Sequence, residues 1–119
     1  MEQLKQALLD QLISDDWQQI GVIECRNAWW AQEHWKIQST REQWATEVYV
    51  NFIVEPVWDA PRAPDQTLKL ITATAVLPQS EQEAVNAIAK IEIGKISIKQ
   101  MMPFIFSLNT YRRTQCIDI

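Results

Sequence analysis

The clearest pattern of hydrophobic and polar positions is a period of two within Trp29–Trp58, a stretch that holds five of the six tryptophans. From Trp44 the even positions are mostly apolar, while the polar residues Glu47, Asn51 and Glu55 fall at odd positions. This alternation is typical of a β-strand with one buried face. The segment that starts at Trp29 carries a matching set of apolar residues. The two segments together therefore predict a β-hairpin.

The register of this hairpin follows from matching the apolar sets of its two strands. A turn centred between residues 40 and 41 pairs residues whose numbers sum to 81. In that register Ile37 faces Trp44 on the apolar side, and a slip of one residue would destroy the match. On the polar side His34 faces Glu47. We therefore predict a His34–Glu47 cross-strand pair.

The N-terminal residues predict a helix followed by a strand. Apolar residues recur every three or four positions over residues 2–14, with polar residues between them and no glycine or proline. Such spacing is typical of an amphipathic helix. The sequence Ser14-Asp15-Asp16 predicts a turn, and the apolar run Ile20–Ile23 predicts the first strand.

After a proline-rich loop, the pattern predicts an inner strand and a second helix. Residues 68–77 are rich in β-branched residues and apolar on both faces, as in a strand that is covered on both sides. Ser80 and Glu83 form a capping-box signature, which predicts a helix over residues 81–90. Residues 91–98 fit either a short fifth strand or a connection between helices, because the alternation changes phase within them.

The last predicted element is a helix over residues 99–114, which carries apolar residues almost all round. Such a helix must be buried on more than one side, so it is either central in the fold or a homodimer contact. We expect Pro103 in its first turn, and Arg112 and Arg113 in solvent at its last turn. The simplest expectation for four further side chains is the core: Met101, Met102, Phe104 and Phe106.

These elements predict an α+β fold in one globular domain over residues 1–119. One N-terminal helix and two C-terminal helices pack on an antiparallel sheet of four to five strands. The chain has 47% hydrophobic and 22% charged residues, as expected of a soluble protein. Two glycines leave almost no scope for phosphate-binding loops, and a net charge of −4 argues against nucleic-acid binding. No apolar run suits a membrane span, and no signal peptide is evident, so we expect a cytoplasmic protein.

The candidates for chemistry are few. With one histidine, a histidine metal cluster is excluded, and we predict neither metal nor cofactor. The His34–Glu47 pair could form a general base, but a solvent-exposed ion pair is the commoner role. Glu33 falls on the apolar face of the hairpin. It is either a functional carboxylate with a raised pKa or a structural residue neutralised by a basic side chain. Cys25 and Cys116 are expected to be unpaired.

The polar face of the hairpin offers a candidate interaction surface made of Trp30, Tyr49 and His34. Tryptophan and tyrosine are enriched at protein interfaces, although a helix could equally cover these rings. Without a nucleophile motif or a metal site, the sequence favours a non-enzymatic interaction or adaptor protein that acts as a homodimer. Its partner would be a second copy or another protein. The alternative is a small enzyme or small-molecule-binding protein with a pocket between hairpin and helices, using Glu33 or the His34–Glu47 pair.

Overall fold

The structure, a computed structural model of the chain, describes residues 2–24, 30–41, 46–54, 68–92 and 98–114. Five strands form one antiparallel sheet in the order β1-β2-β3-β4-β5. The elements in chain order are α1 (Glu2–Ser14), β1 (Trp17–Glu24), β2 (Ala31–Ser39), β3 (Glu47–Val54), β4 (Leu68–Thr74), α2 (Glu81–Val85), β5 (Ala89–Glu92) and α3 (Ile98–Thr114). The predicted α+β class is confirmed.

The N-terminal helix has the predicted bounds. Its apolar stripe buries Leu8 and Leu12 fully. The chain then turns at Asp15 and at Asp16, which has a φ of 65°. Left-handed backbone of this kind is tolerated by aspartate better than by bulky residues, and it reverses the chain after a helix. The predicted turn after α1 is confirmed.

Strand β1 starts three residues earlier than the apolar run suggested. Trp17 opens the strand and is only 1% exposed, while Gln18 and Gln19 follow it. These two glutamines hid the start of the strand, because they break the run of apolar letters. β1 is an edge strand with a β-bulge between Gln19 and Gly21, so its alternation is weaker than that of an inner strand.

The predicted register of the hairpin is wrong by an even number of residues. In the structure the numbers of paired residues sum to 85 from Glu33 to Gln38, so Ile37 faces Val48 and His34 faces Asn51. A register shift between Ala31 and Glu33 makes the Ala31–Ile53 pair sum to 84. An even shift keeps every side chain on its face. The apolar face of the hairpin is therefore as predicted, but the predicted His34–Glu47 pair does not form, because Glu47 faces Gln38.

The register shifts because residues 40 and 41 are bound elsewhere. The Thr40 amide donates to the Asp16 carbonyl at 2.8 Å, and Arg41 Nε donates to Asp16 Oδ2 at 2.9 Å. These bonds attach the end of β2 to the turn after α1. The backbone pairing of the hairpin continues to Ser39, whose amide donates to the Thr46 carbonyl at 2.9 Å. The connection between β2 and β3 is thus longer than a tight turn. The pattern of apolar residues does not show this length, so it could not predict the register.

The region after β4 agrees with the prediction at its start and departs from it later. β4 lies between β3 and β5, and residues 71–74 are buried, as expected of an inner strand. The Ser80 side chain caps α2 by accepting from the Glu83 amide at 3.2 Å. However, α2 ends at Val85 instead of residue 90, and the fifth strand is formed by residues 89–92. Only the last two of these lie in the segment 91–98, whose residues 93–97 are outside the described ranges.

Helix α3 begins at Ile98, so Pro103 lies in its second turn and not in the first. One side of the helix buries Met101, Phe104, Ile105 and Leu108. The opposite side exposes Met102 and Phe106, which the sequence had assigned to the core. The helix is therefore covered on one side only by the described part of the fold.

The core lies between the sheet and helices α1 and α3, which pack on the same face. At its centre Trp35 and Phe52 meet edge to face with ring centres 4.7 Å apart. Trp35, on the apolar face of the hairpin, is 5% exposed. Trp29, Trp44, Trp58 and both cysteines lie outside the described residues.

Candidate functional site

A ladder of polar side chains crosses three strands on the sheet face opposite the core. His34 Nδ1 lies 2.6 Å from Asn51 Oδ1. The Asn51 Nδ2 group donates to Thr72 Oγ1 at 3.2 Å and to Thr74 Oγ1 at 3.0 Å. Thr74 in turn donates to the Val76 carbonyl at 2.7 Å. All four side chains of this polar ladder are buried, with exposures of 0 to 6%.

The hydrogen bonds of the polar ladder fix the proton on His34. Because both Asn51 donors point to threonines, the Asn51 carbonyl oxygen must face the imidazole as an acceptor. His34 Nδ1 therefore carries a proton, and Nε2 is the unprotonated nitrogen of the neutral ring. Within the described residues no hydrogen bond reaches Nε2.

The neutral form of His34 is favoured further by burial. Burial lowers the pKa of His34, while the hydrogen bond to Asn51 and the nearby charge of Glu33 oppose this shift. Desolvation disfavours the charged imidazolium more than those two contacts stabilise it. The ring is 4% exposed and meets the edge of Trp30, with centres 5.8 Å apart. These properties are those of an internal, structural histidine, since a general base needs access to a substrate.

The three residues of the predicted interaction surface therefore differ in accessibility. His34 is buried and cannot contribute a contact surface, which corrects the sequence-based expectation. Trp30 and Tyr49 are half-buried on the same side of the sheet. The ammonium of Lys36 lies 5.9 Å from the Tyr49 ring centre and 3.3 Å from the Glu47 carboxylate. Tyr49 and Glu47 are therefore both next to the charged side chain of Lys36.

Glu33 forms an ion pair with α1. Its Oε1 atom lies 2.5 Å from Lys5 Nζ, which also donates to Gln32 Oε1 at 2.6 Å. The side chains of Lys5 and Glu33 are 11% and 20% exposed, and the ammonium lies 4.9 Å from the ring centre of Phe52. Sequence reasoning anticipated neutralisation by a basic side chain. The pairing with Lys5 favours the structural interpretation of Glu33, because this contact ties α1 to β2.

A second polar cluster, built around Arg112, escaped the sequence-based prediction. Arg112 is fully buried, whereas the sequence suggested a solvated helix end. Its guanidinium donates to the carbonyls of Asp15 and Asp16 at 3.1 and 3.0 Å, and to Asn109 Oδ1 at 2.9 Å. It lies over the Trp17 ring, whose Nε1 donates to the same Asn109 oxygen at 3.0 Å. These bonds satisfy carbonyls after α1, so the cluster is structural.

The outer side of α3 carries two large apolar side chains that are exposed to solvent. Phe106 is 67% exposed and Met102, one turn earlier, is 54% exposed. Beside them lies a groove of about 390 Å³, lined by Ile88, Phe106, Ser107, Thr110 and Tyr111. None of the lining residues is charged. This groove lies against α3, and not between hairpin and helices where the sequence-based alternative placed a pocket.

Among the described residues, no group of three or more His, Cys, Asp or Glu side chains could hold a metal ion. None of the helices in the described ranges combines the length and the apolar content that crossing a bilayer requires. No protein-family model matches the chain, and neither the curated proteins nor the solved structures include one that is detectably similar to it.

Proposed function

We propose that this protein is a non-enzymatic interaction protein that acts as a homodimer, with the outer side of α3 as its contact surface. The observation that carries the proposal is the exposure of Phe106, 67% of whose surface is open to solvent on a regular helix. A soluble protein gains little from a large exposed ring, and aromatic residues are enriched at interfaces. Met102 lies four residues earlier, so the two side chains form one apolar stripe.

A second copy of the chain fits this stripe better than a charged partner does. Each α3 carries a projecting ring, Phe106, next to an uncharged groove of about 390 Å³. A twofold axis across α3 would place each ring in the groove of the other copy, as closed symmetric dimers require. The helix has 17 residues, which corresponds to about 25 Å of contact length.

The other interpretations find less support. Of the three residues of the predicted interaction surface on the hairpin, Trp30 and Tyr49 are half-buried and His34 is buried. For an enzyme or a small-molecule-binding protein, Glu33 is held by Lys5, and His34 is buried away from the register position of Glu47. The cytoplasmic location expected from the sequence belongs to this proposal as well.

The test is the molar mass in solution of four proteins, measured by light scattering over a range of concentrations. The set comprises wild type, Phe106→Ser, Ile13→Ser and Trp30→Ala. Ile13 is the matched control, because it is 56% exposed on α1 and equally apolar. Central aromatic anchors contribute about 2 to 4 kcal/mol, so Phe106→Ser should weaken association by about 30-fold or more. Ile13→Ser and Trp30→Ala should leave it unchanged. A wild type that stays monomeric contradicts the proposal, and loss of association only in Trp30→Ala transfers the contact to the hairpin face.

A further inference from the structure

The two edges of the sheet are built differently. β5, at one edge, has four residues, exposes the charged Lys90 and Glu92, and is packed by α3. β1, at the other edge, has eight residues. In the part of the chain that the structure describes, no strand pairs with the outer edge of β1. Such an edge offers a row of backbone donors and acceptors to another chain.

The side chains of β1 do not block this edge. Native proteins protect edge strands with charges, prolines, β-bulges or a short length, and of these β1 has the bulge between Gln19 and Gly21. Residues 17–23 of β1 contain no charge and no proline. Ile20 and Val22 are 42% and 50% exposed, so apolar surface accompanies the open backbone. The protection present at β5 is thus missing at β1 over seven of its eight residues.

We propose that the β1 edge is a strand-addition site for an extended segment of a partner protein, with apolar residues at alternate positions and basic residues at its ends. Main-chain hydrogen bonds to β1 would supply affinity, and the contacts to Ile20 and Val22 would supply selectivity. The site lies on β1, so it does not depend on the contact through α3.

Charge favours a basic segment over a second copy of β1. The charged residues at the two ends of β1 are acidic: Asp15 and Asp16 precede the strand, with Asp16 paired to Arg41, and Glu24 ends it. Antiparallel pairing of β1 with the β1 of another copy would bring the acidic start of one strand to the acidic end of the other. A segment with lysine or arginine at its ends would meet a favourable potential instead, and salt would weaken its binding.

The β-bulge in β1 favours a flexible segment for a separate reason. The register shifts between Gln19 and Gly21, which bends and twists the strand locally. Two rigid copies would have to match their bulges in opposite directions across one pairing. An extended peptide without a fold of its own can follow the bend.

The experiment uses full-length protein with the Phe106→Ser substitution, so that self-association through α3 does not interfere. The probe is a fluorescent peptide of about nine residues that alternates valine and threonine and has a lysine at each end. One comparison peptide has proline at its centre, and another has glutamate ends. Binding is measured by fluorescence anisotropy. Hydrogen–deuterium exchange of residues 17–24 shows whether the peptide covers β1.

We expect the lysine-ended peptide to bind and to slow exchange in β1, with both comparison peptides weaker by about tenfold or more. Val22→Lys should weaken binding by about tenfold, because a charge at an edge strand opposes pairing. Ile13→Lys, which adds the same charge on α1, should have little effect. Failure of the lysine-ended peptide to bind overturns the proposal, as does equal binding of the proline peptide. If exchange in β1 slows as the protein concentration rises, without any peptide, the β1 edge binds a second copy of the chain. That result would also overturn the proposal. If the proposed dimer contact through α3 does not exist, each of these outcomes can still be interpreted, because the peptide experiment uses the Phe106→Ser protein.

Discussion

The guanidinium carbon of Arg112, near the end of α3, lies 4.6 Å from the centre of the Trp17 ring at the start of β1. The same guanidinium binds the Asp15 and Asp16 carbonyls after α1 and lies 3.3 Å from Ser39 Oγ at the end of β2. One side chain thus holds together two helices and two strands. The two terminal nitrogens of the buried cation donate to four oxygen acceptors, as a charge away from water requires.

Replacing Arg112 should therefore destabilise the fold strongly. In Arg112→Met the Asp15 carbonyl loses the guanidinium, and the Asp16 carbonyl and Asn109 Oδ1 each lose one of two donors. The cost should be about 3 kcal/mol or more. Arg113→Met is the control, because Arg113 is exposed one residue later and should change stability by less than about 0.5 kcal/mol. Urea denaturation of the three proteins measures the difference. A similar loss of stability in both variants would contradict the structural role of Arg112.

The polar ladder predicts a pH dependence of stability. The pKa of folded His34 is lowered below its ordinary value of 6.5 by burial. The unfolded chain therefore binds the proton more readily, and stability rises with pH. The contribution of His34 is fully present above about pH 6.5 and is lost as the pH falls below it, with a slope of at most about 1.4 kcal/mol per pH unit.

This dependence is measured by urea denaturation between about pH 5 and about pH 8, where unperturbed carboxylates are already ionised. In His34→Gln the slope over this interval should disappear. An unchanged slope in the variant, or stability that rises as the pH falls, would show that His34 does not titrate in this way.

The contact between Lys5 and Glu33 should be energetically coupled. A double-mutant cycle of Lys5→Met and Glu33→Gln should give a coupling of about 1 to 2 kcal/mol, because both side chains are mostly buried. The matched control is the Lys36–Glu47 pair, whose side chains are 35% and 43% exposed. Its coupling should stay below about 0.5 kcal/mol. Additive effects at Lys5 and Glu33 would return Glu33 to the candidates for a functional carboxylate.

The sequence predicted what depends on local pattern. The bounds of α1, the faces of β2 and β3, the inner position of β4 and the Ser80 cap each follow from spacing over a few residues. The even register error preserved the apolar face of the hairpin, and so the core was largely right. The same register error misassigned the partner of His34, because a cross-strand neighbour depends on the exact number of residues in the connection.

The features that were missed depend on contacts distant in sequence. Arg112 is buried because it meets the turn after α1, and no local pattern signals this contact. The exposure of Phe106 depends on which side of α3 meets the sheet. Because apolar residues lie almost all round the helix, their spacing does not predict which side is buried.

The central claim, a homodimer through the outer side of α3, is tested most directly by sedimentation equilibrium over concentrations from about 1 to about 300 μM. The chain has a mass of 13.9 kDa. We predict that wild type shifts with concentration towards twice that mass, while folded Phe106→Ser remains at 13.9 kDa over the same range. A wild type that remains at the mass of one chain throughout, or a Phe106→Ser variant that associates as wild type does, would contradict the account.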